Sequence, residues 1–434
     1  MAEALQVSAS EQPVGSGPVG TKVPRPQPLG VFPLPLGYLL IPGGPDTDAA
    51  RTALLAGRLP DHWPPTLRAH QLALAGDRDA AVAELARHTD PVSRYNRFVL
   101  DPDAAEPDEL RSALGEFGVL VDVVLFTLGR TDTLPAPDGL DGELAAAVLA
   151  AQASAALADG EPATAIELLD KAAAAAGSIS KPMAGTLLAG AAEISRNTGG
   201  ADAVFRLQNA LAALDDADGL GLTRAEVHLC LAGALHEQAE QQPHLLSAAV
   251  PHYHSVLQLI KREDAPETWA AAHAGLATAY LTMPMVEASS QLRLGIAAQS
   301  LRQALTVYTR ETHPREWASV QLNLANSLVY SPSKHRRENL VEAAEIYEAV
   351  LQTRDRATDP LGRARVLANQ GNVLAHLGMF EDAKAKLYEA RFLFEELGDT
   401  DSMLAVRGVL DEIARQRAHS TTDEAGGDDV DSGV

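Results

Sequence analysis

The sequence predicts an all-α protein of stacked helical hairpins, and three observations carry that prediction. First, one hairpin is written twice. HPREWASVQLNLANSL runs on into NLVEAAEIYEAVL, and DPLGRARVLANQGNVL runs on into MFEDAKAKLYEARFLF. Pro314 answers Pro360, Ala318 answers Ala364, Asn323 answers Asn369, Ala325 answers Gly371 and Leu328 answers Leu374, each pair 46 residues apart. Repetition at that period means stacked supersecondary units. Second, of 434 residues only 4% are aromatic, and the 46% apolar share leans on Ala and Leu. That composition suits close-packed helices better than sheets. Third, a small–large–small triplet recurs at +4 and +7: Ala165/Leu169/Ala172, Ala203/Leu207/Ala210, Ala249/Tyr253/Val256, Ala297/Leu301/Ala304, Ala343/Tyr347/Val350 and Ala383/Leu387/Ala390. These steps lie on one helical face, so the triplets form a seam between units.

From the N-terminus, residues 1–27 are rich in Ser, Pro, Gly and Gln and are expected to be a disordered tail. The formal GxGxxG from Gly15 to Gly20 follows no strand and opens no helix, so it reads as no nucleotide site. PLGVFPLPLGYLLIP, 28–42, is apolar but broken by Pro33 and Pro35, which exclude a regular helix. It reads as an extended arm, packed on its own first helices or offered to a partner. Residues 28–130 form a smaller N-terminal helical module: a short helix over Thr47–Arg58, then a compact hairpin over Trp63–Ala86. Ala69 and Ala81 let the backbones approach, and Gly76-Asp77 makes the turn. Glu109–Leu128 is a further helical stretch; its run FGVLVDVVLFTL is a buried helix, with a buried strand as the alternative. Residues 131–138, TDTLPAPD, are the linker and the expected domain boundary.

An array of about six hairpins follows over 139–400. Gly160 and Gly378 sit at turns that need a left-handed residue. Thr223 with Glu226 predicts a capping box, and Asp359-Pro360 a cap with proline at the first helical position. Residues 401–417 read as a capping helix and 418–434 as a disordered acidic tail.

The unit GNVLAHLGMFEDAKAKLYEA, carrying Gly371, Leu374, Gly378, Phe380, Ala383, Leu387 and Ala390, resembles the tetratricopeptide repeat. Gly371 to Ala383 spans 12 residues, as in that family's compact form, whereas Ala325 to Ala343 spans 18, Ala277 to Ala297 spans 20 and Ala232 to Ala249 spans 17. The connections there are longer, as in bacterial members with extended repeats. The resemblance covers 139–417 well and 63–87 weakly. It implies a right-handed α-solenoid whose first helices line a concave groove.

The net charge of −23 argues against non-specific nucleic-acid binding and anionic membranes. Cys230 is the lone cysteine, which fits a reducing cytoplasm, and the N-terminus carries no signal-peptide pattern. No uninterrupted run of about 18 apolar residues predicts a membrane span.

No catalytic, cofactor or metal constellation stands out. The imidazoles of His252 and His254 point to different faces of a helix, and His228 and His236 lie two turns apart. Ser289-Ser290 reads as a loop with no paired base. Cys230 aligns with Asn323 and Asn369 and reads as a small buried hydrophobe. Trp269 and Trp317 share a repeat position and read as packing between repeats.

What remains is a surface. Asn323, Asn326, Asn369 and Asn372 occupy the same two positions, three apart, on consecutive first helices. Carboxamides offer donor and acceptor together, so a row of them can pair with an extended peptide backbone. In peptide-holding tetratricopeptide domains, asparagines at matching positions do so. The alternative is that Asn323 and Asn369 tie neighbouring helices together. Arg365, two turns before Asn372, can receive a carboxylate. Lys334-His335-Arg336-Arg337 is the one basic cluster. The expected function is a non-catalytic scaffold or adaptor holding a protein segment in the groove. An assembly chaperone for a multisubunit enzyme and a peptide-sensing regulator are the alternatives.

Overall fold

The computed structural model describes residues 39–239, 241–283, 287–330 and 335–426. The expected disordered tail, 1–27, most of the arm, 28–38, and the last acidic residues, 427–434, lie outside them. No strand occurs among the described residues. The chain divides into two compact units, Met1–Ile260 and Lys261–Val434.

The first unit opens with α1 (Asp48–Leu55) and a hairpin of α2 (Arg68–Leu74) and α3 (Arg78–Leu85). Asp77 caps α3, accepting from the Ala80 amide at 3.1 Å. Then come α4 (Pro91–Leu100), α5 (Pro107–Leu114) and α6 (Val119–Thr127). The VLVDVVLFT run is therefore the helical alternative, and Asp122 leaves the core to meet Arg111 at 2.7 Å. Helix α4 was not anticipated from the sequence. Its start repeats a familiar signature: Asp90 accepts from the Ser93 amide at 2.7 Å and Pro91 is the first helical residue. Three hairpins complete the unit: α7 (Gly142–Ala158) with α8 (Pro162–Gly177), α9 (Lys181–Asn197) with α10 (Ala203–Leu214), and α11 (Gly221–Gln238) with α12 (Leu245–Leu259).

The segment 131–138 has no regular structure, yet packing continues across it. Leu144 and Ala147 of α7 share a core with Leu39, Phe98 and Leu120. The division into units falls at Ile260, not at this linker. The expected capping box at Thr223 does not form. A 3-10 turn over Asp218–Leu220 feeds straight into α11, so Leu220 is the cap and Thr223 is already inside the helix.

In the second unit α13 (Pro266–Thr282) pairs with α14 (Glu287–Ala304), α15 (Pro314–Tyr330) with α16 (Arg336–Leu351), and α17 (Pro360–His376) with α18 (Phe380–Glu396). Helix α19 (Thr400–Gly426) packs on the last hairpin and runs past Arg417, where the sequence suggested an end. Ser289 and Ser290 fall within α14 rather than in a loop.

The seam is present in both units. Every residue of the six triplets is buried, none more than 4% exposed. Gly160 and Gly378 take φ values of 79° and 78° at their turns, a region costly for residues with a Cβ. Asp359 caps α17, accepting from the Gly362 amide at 2.9 Å, with Pro360 following it. Where α17 crosses α18, a Cβ at Gly371 would lie 2.6 Å from Leu387 Cγ. Only glycine allows that approach without repacking. Substituting Gly371→Val is expected to cost about 1–3 kcal/mol in chemical denaturation, and an unchanged midpoint would show that the crossing is not tight.

The arm's described end is part of the first core. Leu39, Leu40 and Ile41 have no exposed surface. His70 Nε2 meets the Leu40 carbonyl at 3.0 Å, and Thr47 Oγ1 donates to the Pro42 carbonyl at 2.7 Å. Burial, only partly offset by the Leu40 hydrogen bond, lowers the His70 pKa from 6.5 to about 4. Between those values the unfolded chain binds a proton that the folded chain refuses, so stability falls as pH drops through that window and is unaffected above it. His70 supplies up to roughly 3 kcal/mol of this slope. His70→Gln should flatten the fall in melting temperature between pH 6.5 and 4.

Candidate functional site

The five residues singled out for partner binding all lie on α15 and α17, the first helices of consecutive hairpins. The structure sorts them into two groups. Asn323 and Asn326 are engaged within the fold: Asn323 Nδ2 donates to Thr278 Oγ1 of α13 at 3.3 Å, and the Asn326 carbonyl accepts from the Tyr347 hydroxyl at 2.6 Å. Tyr347 is the large residue of its seam triplet, so Asn326 satisfies the one polar atom that the seam buries there. These two asparagines tie α13, α15 and α16 together.

Asn369, Asn372 and Arg365 are different. Asn369 is exposed and reaches back to the Asn326 carbonyl at 3.5 Å, the limit of a hydrogen bond. Asn372 is half-buried and makes no side-chain hydrogen bond among the described residues. Arg365 is exposed on the same helix. Its charge helps hold the Asp399 carboxyl below its usual pKa, after the larger effects of hydrogen bonds from Ser402. The α17 face therefore offers one guanidinium and two carboxamides at steps of four and three residues, which share a helical face.

The tryptophans serve packing. Trp269 and Trp317 are half-buried against the second unit's core. Trp269 meets the His273 ring edge-on, with centroids 4.3 Å apart, and Arg310 lies 5.9 Å from the Trp317 ring. Because the indole keeps part of its surface in water, Trp317→Ala should cost about 2 kcal/mol, below the roughly 3–5 of a fully buried ring. An unchanged melting temperature would contradict the packing role.

Of the basic cluster, Lys334 lies outside the described residues. His335, Arg336 and Arg337 are exposed at the start of α16. The outer face of α18 carries a feature the sequence reading missed: Tyr388 and Phe392, four residues apart, are each about half exposed. Arg391 covers Tyr388 at 5.4 Å and Arg356 covers Phe392 at 5.2 Å. Their i, i+4 spacing was legible, but no sequence pattern told outer face from inner.

In the first unit, Cys230 sits against Glu193, with Sγ 3.8 Å from Oε2. Burial, reinforced by the Glu193 charge, pushes the thiol pKa up to about 11. The sulfur is held as an unreactive thiol. Burial also raises the carboxyl of Glu193 and that of Glu226, the latter pushed further up by the Glu193 charge. His252 faces α11 and meets His228, their Nδ1 atoms 2.9 Å apart, whereas His254 is exposed. His236 reaches the Tyr253 hydroxyl at 3.4 Å. Among the described residues, no group of three or more His, Cys, Asp or Glu side chains is arranged to hold a metal ion. No helix among them is long and apolar enough to cross a membrane.

No protein-family model matches the chain. No curated protein sequence matches it either. Solved structures do resemble it. The apo form of RapI superposes with a TM-score of 0.45 at 13% identity, covering 81% of this chain and 96% of that one. A Rap protein complexed with competence and sporulation factor gives 0.38 at 15% identity, covering 81% and 96%. A human IFIT1 dimer with PPP-AAAA gives a TM-score of 0.37 at 15% identity, covering 82% and 73%. These superpositions are loose, and nothing about partners follows from them. The fold rests on the chain's own geometry: hairpin follows hairpin within each unit, a buried small–large–small seam joins them, and by those features the protein is tetratricopeptide-like in fold.

Proposed function

We propose that the protein is a non-catalytic scaffold that holds an extended segment of a partner protein against the α15–α17 face. The observation that carries this reading is the division among its asparagines. Asn323 and Asn326 make the bonds that order the face, and Asn372, with Arg365 on the same helix, keeps hydrogen-bonding capacity for something else. An extended backbone has alternating donors and acceptors, which a carboxamide matches. A guanidinium beside it favours a segment with an acidic side chain or a terminal carboxylate.

The test is affinity capture with the full chain, followed by mass spectrometry and titration of the captured partner. Asn372→Ala combined with Arg365→Glu should weaken that partner at least tenfold while leaving the circular-dichroism melt near that of the parent. Each residue lies outside the seam, so loss of binding would not reflect unfolding. Unchanged capture by the double variant would remove the α17 face from consideration.

A further inference from the structure

We propose that the N-terminal module binds a small organic ammonium ion in the cavity between the chain leading into α1 and helices α2, α3 and α4. The cavity has a volume of about 240 Å³. Drug-sized sites run to roughly 300–1,000 Å³, so the occupant is smaller than that. One structural water needs only about 10–15 Å³, far less than the space provided. The cavity lies within the first unit and is separate from the α15–α17 face, so it stands or falls independently of the scaffold reading.

The first observation is an unmet group in the wall. Asn96 lines the cavity from α4 and is 1% exposed, yet its Oδ1 accepts no hydrogen bond among the described residues. Buried polar side-chain atoms nearly always have a partner. The torsion carrying a carboxamide is broad and two-fold, so a half-turn exchanges its oxygen and nitrogen. An N–H group inside the cavity is the partner that this oxygen lacks.

The second observation is where the other protons of the wall go. Thr47 Oγ1 donates to the Pro42 carbonyl at 2.7 Å, and Thr66 Oγ1 donates to Asp46 Oδ2 at 3.0 Å. His70 Nε2 donates to the Leu40 carbonyl at 3.0 Å. Burial holds the His70 pKa at about 4, so the ring is neutral at pH 7. All three groups line the cavity, and each spends its proton inside the protein. Ser93 and His88 can each donate or accept, so they do not decide the class of ligand.

Charge points the same way. Asp46 is exposed at the mouth and makes no ion pair among the described residues. Glu84, half-buried on the α3 side, shares its charge with Arg87 at 2.6 Å. None of the described lining residues is Lys or Arg. A wall with two carboxylates, an unmet carbonyl and few remaining donors selects a cation rich in N–H groups. Pro42, Pro65 and Leu85 offer apolar surface to its carbon body.

The experiment uses the full chain at pH 7 in about 0.15 M NaCl, which screens diffuse attraction to the acidic surface. The probes are n-butylammonium, n-butanol and butyrate, which share a short carbon body and differ in the charge of the head. Titration followed by saturation-transfer nuclear magnetic resonance should give a saturable curve for n-butylammonium. The affinities of n-butanol and butyrate should be at least about tenfold lower. Asp46→Asn keeps an acceptor for Thr66 and changes an exposed residue, so the fold is not at risk. It should weaken n-butylammonium at least about tenfold. Asp132→Asn, which removes an exposed carboxylate outside the cavity, should leave the affinity unchanged. Asn96→Leu should weaken binding as Asp46→Asn does, and should that variant fail to fold, the probe series on the parent and Asp46→Asn decide. Equal affinities for the three probes, no saturable binding of n-butylammonium, or an unchanged affinity in Asp46→Asn would each overturn the proposal.

Discussion

Close approach of paired helix backbones is the constraint on which the rest of the structure depends. Small residues set it. Ala165, Ala297, Ala343 and Ala383 are fully buried on second helices, while Gly185 and Gly371 stand on first helices where a Cβ would lie 2.9 Å and 2.6 Å from a leucine of the partner. A buried alanine removes little apolar area from water, so the gain lies in the many short contacts that two near backbones make. With so few aromatic side chains, no single anchor dominates either unit. Each hairpin is held mainly by its neighbours, as in other repeat architectures.

That closeness has a polar consequence. The seam's large position is filled by tyrosine in two triplets, and a tyrosine there buries a hydroxyl that needs a partner. Tyr347 finds Asn326, and Tyr253 stands 3.4 Å from His236. In both hairpins the first helix supplies the polar atom. Part of the asparagine row is thus explained by the core beneath it rather than by anything outside, and Asn372 and Arg365 take no part in satisfying the seam.

Much of this was legible in the sequence because small–large–small spacing is a packing requirement that chain order alone reveals. The triplets, the turn glycines and the Asp359-Pro360 start all follow from local rules. Helix α4 could have been found by the same rule, since Asp90-Pro91 repeats that start. Thr223 with Glu226 satisfied a cap pattern but lost to the 3-10 turn that begins the helix earlier. The His228–His252 meeting was not legible. Across the 17-residue span from Ala232 to Ala249 the connection is long, and the register of one helix against the other is set in three dimensions. The linker at 131–138 looked like a boundary because composition shifts there, yet Leu144 and Ala147 carry the core across it.

The end of α1 is tied by residues far along the chain. Ser180 Oγ donates to the Leu55 carbonyl at 2.9 Å, and the Gly219 amide donates to the Gly57 carbonyl at 2.8 Å. A chain emerging from the ribosome releases α1 long before either donor exists. Those last carbonyls of α1 therefore stay in water until the third hairpin of its unit begins to leave the exit tunnel.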